Sequence, residues 1–173
     1  MKLNNKSIAL VLGVLVLLIG VTAYFNADGL ADKRDAQANA LVRVGAEGRE
    51  AVTFTMDQVR AAGEETFQAA IRSSSRPSSE HAFTGVPLKA LIAAAELDLT
   101  AGQQVIVRSV DGYVVALNVE EVLQDENIYL VYAMDGEGLG TKEDGGSGPY
   151  QVIIRNDPFS QRWSKFVTDV ELR

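Results

Sequence analysis

The chain has 173 residues, 47% of them apolar, a formal net charge of −7, one histidine and no cysteine. An acidic chain with no basic run is not built to attract nucleic acid phosphates. The missing thiols exclude disulfides, thiolate metal sites, thiol catalysis and lipid attachment through cysteine.

Lys2 and Lys6 precede an uncharged run from Ser7 to Phe25, and Asp28 follows it. Its 19 residues exceed a signal-peptide core of about 7–15 and approach the about 20 that span a bilayer as a helix. The expectation is a membrane anchor over residues 1–25, with the lysines inside and the C-terminal domain extracytoplasmic, single-pass in the cell membrane. The alternative is cleavage after Ala23, at Val21-Thr22-Ala23, and secretion. Residues 26–40 carry no apolar stripe and read as a solvated linker, which leaves one domain over 41–173.

Within that domain, Leu41–Val44 and Ala51–Phe54 alternate as two strands of a hairpin. Thr55 with Gln58 is a capping-box pattern that predicts a short helix from Met56 to Ala62, ended by Gly63. Phe67–Arg72 reads as a strand. The stretch from Ser73 to Glu80 has no apolar residue and predicts a long loop, of the kind that often carries function. Pro87 opens a helix whose Leu88, Leu91, Ile92 and Ala95 share one stripe. Strands over Val105–Val110 and Tyr113–Leu117 flank Asp111-Gly112, a strong hairpin signal. Asn118 with Glu121 caps a further helix, and Ile128–Met134 is a strand running into an Asp135-Gly136 turn. Strands over Tyr150–Arg155 and Phe166–Leu172 close the chain. Short strands and three short helices without a βαβ rhythm predict an α+β domain, a twisted mixed sheet with helices packed on it.

Several segments carry candidate chemistry. In the glycine-rich stretch 136–148, the backbone around Gly146, Ser147 and Gly148 offers N–H groups to an anion; the plainer reading is a surface loop, since the spacing is not that of a phosphate-binding loop. Its acidic residues match no defined calcium loop, so no metal site is assigned. Arg155, Arg162, Trp163 and Lys165, with Phe159, form a stacking and anion-binding candidate; the alternative places the aromatics in the core and pairs Asp157 with an arginine. Asp111 and Tyr113 either face a pocket or simply make a tight turn. His81 is a candidate acid or base beside Ser73 and Ser74, weighed against a surface histidine, and alone it builds no histidine-rich metal site.

The segment Phe83-Thr84-Gly85-Val86-Pro87-Leu88-Lys89-Ala90-Leu91-Ile92 is followed in order by Ser109–Tyr113, Ala133–Leu139, Gly146–Pro149 and Lys165–Leu172. Together with Phe54–Val59, these landmarks resemble the sulfite oxidase-type molybdopterin-binding domain over essentially all of 41–173. The resemblance implies that fold, an oxidoreductase lineage and a place for a pterin, with Lys165 where the family has a lysine near its cofactor. The chain departs from the family where metal chemistry is concerned. A cysteine that gives molybdenum its thiolate is replaced by the neighbourhood Arg72-Ser73-Ser74-Ser75, and a protonated hydroxyl is a far poorer ligand. The family's histidine before Gly-x-Pro-x-Arg is absent, and Gln151 stands for the arginine.

The expectation is therefore a kept fold without molybdenum catalysis and with no cofactor. Such a domain acts as an accessory or sensor module that binds a small ligand or a membrane protein partner, and no nucleic acid, in a cleft between the serine loop, the glycine-rich loop and the Arg155–Lys165 stretch. The alternative is a degenerate molybdopterin-dependent oxidoreductase or electron-transfer protein that still holds a pterin.

Overall fold

The computed structural model describes residues 11–22, 39–74 and 76–173. Residues 11–22 form helix α1, whose valine, leucine and isoleucine side chains are exposed all round. No helix among the described residues is long and apolar enough to cross a membrane. Lys2, Lys6, the Ala23 cleavage position and the linker up to residue 38 lie outside the described residues. The described residues from 39 onward form a compact unit, described by itself below.

In chain order this unit contains β1 (Leu41–Ala46), β2 (Val52–Thr55), α2 (Met56–Ala61), β3 (Glu65–Ser73), β4 (Arg76–Pro87), α3 (Leu88–Ala94), β5 (Gln104–Ser109) and β6 (Val114–Asn118). There follow α4 (Val119–Leu123), β7 (Ile128–Met134), β8 (Glu137–Gly138), β9 (Gln151–Ile154), a 3₁₀ turn (Ser160–Arg162) and β10 (Val167–Leu172). The expected single mixed sheet is instead two sheets. The first runs β2-β1-β10-β5-β6 and is mixed, with β1 and β10 parallel; the second runs β3-β4-β7, with β8 and β9 sharing the far edge of β7. Burial accounts for the division. Strands β1 and β6 bury alternate residues, as strands covered on one face do, whereas Ile128–Tyr132 of β7 and all of β9 are buried without interruption. The second sheet is thus covered on both faces at β7 and β9. One core cluster draws Val42, Val107 and Leu172 from the first sheet together with Val86, Leu130 and Ile153 from the second and Leu88, Leu91 and Ile92 from α3.

Local signals set the short helices. The Thr55 hydroxyl accepts the Gln58 N–H at 3.4 Å, and the Gln58 side chain accepts the Thr55 N–H at 2.9 Å, which satisfies two donors at the start of α2. Asn118 and Glu121 close the same motif on α4, the Glu121 carboxylate accepting the Asn118 N–H at 3.1 Å.

The segment from Ser73 to Glu80 is not a long loop. β3 and β4 continue as one antiparallel hairpin, with Ile71 opposite Ser79 and Ser73 opposite Arg76. Ladder hydrogen bonds hold this arm, so its exposed serines need no apolar alternation to be strand. Strand geometry then places Ser79, His81 and Phe83 on one face, directly across from Ile71, Ala69 and Phe67.

Gly85 explains one letter of the family-like motif. It lies at a register shift in the β4–β7 pairing, and a Cβ there would stand 2.4 Å from the Leu130 carbonyl oxygen and 2.6 Å from the Val131 Cα. Backbone atoms cannot swing aside, so Gly85→Ala is expected to destabilise the protein by about 1–3 kcal/mol. Urea unfolding of the full chain checks this; an unchanged midpoint would mean that the two strands are not this close.

Candidate functional site

The glycine-rich stretch folds on itself. The N–H groups of Gly145, Gly146, Ser147 and Gly148 donate to the carbonyls of Lys142, Thr141, Leu139 and Gly140 at 3.1, 2.8, 3.0 and 2.9 Å. The Thr141 hydroxyl donates to Asp144 at 2.9 Å, which fixes the turn from the side-chain direction. A Cβ on Gly146 would meet the Leu139 carbonyl oxygen at 2.3 Å, so this glycine serves close approach within the loop. An anion cradle needs N–H groups aimed outward. Here Gly146, Ser147 and Gly148 have spent theirs.

The Arg155–Lys165 stretch turns inward at Trp163, whereas Phe159 stays 45% exposed. Trp163 is 8% exposed, donates its indole N–H to the Ile154 carbonyl at 3.0 Å and meets Phe83 edge-on at 5.9 Å. Arg162 is clamped between two acids. Asp157 accepts from its Nε at 2.8 Å and its Nη2 at 2.5 Å, while Glu121 accepts from Nη2 at 3.0 Å and Nη1 at 3.3 Å. The guanidinium holds the Glu121 carboxyl below the usual carboxylate range, and Asp157, then Glu121, push the guanidinium's own ionisation still higher. Arg155 lies 5.2 Å over the Phe67 ring and donates to the Glu126 carbonyl at 2.9 Å. Lys165 is exposed and makes no ion pair among the described residues. Its neighbour Phe166 has φ 56°, a strained setting for an aromatic residue; the Ser147 carbonyl holds its N–H at 3.0 Å and the Val110 N–H holds its carbonyl at 3.0 Å.

The remaining candidates divide. Asp111 accepts the Tyr113 N–H at 3.0 Å, a turn contact, and the Tyr113 hydroxyl donates to the Gln161 carbonyl at 2.9 Å. Ser73 and Ser74 are exposed at the end of the β3–β4 hairpin, and the N–H of neighbouring Arg72 donates to the Ser160 hydroxyl at 2.9 Å. His81, Phe83, Phe67, Trp163 and Arg155 do come together, as a row of ring contacts along one face of β3 and β4. The expected three-sided cleft becomes a surface on which the hairpin meets the 3₁₀ turn, with the glycine loop bonded into the strands beside it. Two grooves, of about 250 Å³ at Arg43, Arg108 and Asp169 and about 320 Å³ at Glu65, Lys89 and Tyr129, are lined by none of the twelve candidate residues. Among the described residues no three His, Asp or Glu side chains converge as a metal site.

Ser79 and Asp135 were not among the candidates. His81 Nδ1 lies 2.7 Å from Asp135 Oδ2, and His81 Nε2 lies 3.0 Å from Ser79 Oγ. A Ser-x-His spacing shows as one face only once the segment is read as strand.

The chain matches the family model described as oxidoreductase molybdopterin binding domain over residues 31–173, and it belongs to that family. Its fold is similar to that of the sulfane dehydrogenase SoxCD from Paracoccus pantotrophus, with a TM-score of 0.62 at 16% identity over 79% of this chain and 38% of that one. This chain thus spans well under half of that protein, and the likeness is one of fold. No curated protein matches it in sequence.

The family binds molybdopterin, yet the donors present here do not fit the molybdenum form. No thiolate exists to hold the metal, the loop N–H groups are bonded internally, Arg162 is neutralised by two carboxylates, and Gln151 is buried in β9 opposite Val131.

If Arg162 is structural, Arg162→Met leaves Asp157, whose side chain is only 12% exposed, without its partner. The expected loss is about 1–2 kcal/mol, held down by the solvent that reaches the guanidinium. Because Glu121 has its pKa lowered by folding, its share is present above the ordinary carboxylate range and is lost as pH falls through the folded value. Urea midpoints of wild type and variant should therefore converge in acid; a gap constant with pH contradicts this role.

Proposed function

We propose that this chain is a membrane-anchored, extracytoplasmic member of the molybdopterin-binding family that does without molybdenum catalysis and serves as an accessory or sensor module. Its ligand or membrane protein partner docks on the face formed by β3, β4 and the Arg155–Lys165 stretch. The observation that carries this reading is the internal bonding of Gly145, Gly146, Ser147 and Gly148, because a phosphate-bearing cofactor would have to break those bonds before making its own. The absent thiolate supports it from the metal's side. Support for the anchor comes from the lysines before an uncharged run and from α1, which is apolar all round and has no polar face to turn to water. The net charge of −7 favours a cationic or neutral partner over nucleic acid.

The test is elemental analysis and pterin extraction on the full chain, purified in detergent from a host that makes and inserts the molybdenum cofactor. The expected result is a folded, monodisperse protein with molybdenum and oxidised-pterin fluorescence both far below one per chain. A stoichiometric amount of either would overturn the reading and make the chain a pterin-holding oxidoreductase or electron carrier.

A further inference from the structure

Strand β4 places two side chains with acid–base chemistry on one face, exposed at Ser79 and half-buried at His81, and the turn after β7 brings a third to them. Asp135 sits in that turn with φ 54°, its Oδ1 accepts the Ala82 N–H at 2.9 Å, and its own N–H donates to the Ala82 carbonyl at 2.7 Å. The carboxylate is thereby aimed at His81 from a fixed backbone. His81 and, after it, the Ala82 N–H hold the Asp135 carboxyl below its ordinary range. An ionised carboxylate only accepts, so Nδ1 is the donor to Asp135, and in the neutral tautomer that this bond selects Nε2 is the acceptor facing the Ser79 hydroxyl. The order acid, imidazole, hydroxyl is that of an activated serine nucleophile.

Two further features suit the same chemistry. Ala69 and Ile71, directly across from His81 and Ser79, are half-buried and give an apolar floor beside the hydroxyl. The Ala82 N–H and carbonyl both point toward Asp135, so by strand alternation the Glu80 N–H points to that edge as well, and no described strand pairs with Glu80 there. A donor on the residue after the nucleophile is where an oxyanion can be received. The side chains of His81 and Asp135 are 25% and 54% exposed, and Ser79 is exposed, so a small substrate reaches them without a conformational change.

We propose that Ser79, His81 and Asp135 form an acyl-transfer site for small carboxylic esters with a short apolar acyl group. This activity goes beyond the binding-module reading and does not depend on it. Ser79 Oγ gives its proton to His81 Nε2 as it bonds to the ester carbonyl carbon. The bond from that carbon to the alkoxy oxygen breaks, and the alcohol leaves with the proton from His81. Water then attacks the acyl-serine with the same proton traffic, releasing the acid and restoring Ser79. Nothing is oxidised or reduced. Ser79 and His81 are the catalytic residues, and Asp135 is a positioning residue.

The experiment uses the full chain in detergent, with p-nitrophenyl butyrate as ester and a fluorophosphonate as covalent probe, the adduct being located by peptide mass spectrometry. The expected result is saturable hydrolysis and one adduct per chain, on Ser79. Ser79→Ala abolishes both, and His81→Gln slows labelling by about 100-fold or more, as loss of a general base does. Asp135→Asn lowers kcat and leaves KM unchanged, a split that a merely structural role would not produce. Each variant is compared with wild type by circular dichroism. Absence of a Ser79 adduct in the wild type, adducts scattered over other serines, or labelling of a folded His81→Gln protein at the wild-type rate would overturn the proposal.

Discussion

Two stretches of chain, 139–152 and 164–167, hydrogen-bond within and between themselves, and most of this domain's character follows from that seam. After the glycine loop has closed on Leu139, Gly140 and Thr141, the Ser147 carbonyl takes the Phe166 N–H at 3.0 Å, the Tyr150 carbonyl takes the Val167 N–H at 2.9 Å, and the Ser164 carbonyl takes the Val152 N–H at 2.8 Å. These bonds tie the chain entering β9 in one sheet to the chain entering β10 in the other. The buried hydroxyls of Ser164 and Ser109, 2.7 Å apart, add a side-chain link from the same seam to β5. Freeing a buried donor costs about 1–3 kcal/mol. Freeing three to receive a phosphate would cost about 3–9 kcal/mol, to be set against the about 8 kcal/mol that a micromolar ligand supplies. Gly148 is buried and Gly146 and Ser147 are half-buried, so the lower part of that range suits two of them, and a cost of about 5 kcal/mol removes the larger part of what such a ligand supplies.

The seam also decides what its flanking side chains can do. With Phe166 pinned from both sides, its left-handed backbone is held at a cost of about 1–3 kcal/mol, and the chain before it is directed so that Trp163 enters the core against Phe83. Arg162 is then left to join the 3₁₀ turn to the cap of α4 through Asp157 and Glu121. The densest cluster of cations and aromatics in the sequence is thereby turned toward stability. Surface chemistry is left to the β3–β4 hairpin, the part of the domain where polar side chains stand exposed on a rigid ladder.

Local features were readable in advance because short-range physics decides them. The capping boxes at Thr55 and Asn118, the Asp111-Gly112 and Asp135-Gly136 turns and the stripe of α3 all formed as their residue types predict. The division into two sheets was not readable, since it depends on β10 inserting between β1 and β5, a choice made by residues 58 or more positions apart. The Ser73–Glu80 segment was misjudged for a different reason. Apolar alternation detects strands that bury a face, and an exposed hairpin arm buries neither side fully. The alternation that puts Ser79 and His81 on one face, beside Asp135, exists only in a strand. For Arg162 and Trp163 the plainer alternative, an Asp157 ion pair and a core aromatic, describes what is present.

Gly146, Ser147 and Gly148 hold structural hydrogen bonds in the protein without any ligand. Amide hydrogen exchange followed by NMR on the ligand-free full chain measures this. The three N–H groups are expected to be protected, Gly148 to a degree approaching β9. Exchange of all three at the rate of an open chain would contradict it, because it would mean that the loop keeps its donors free.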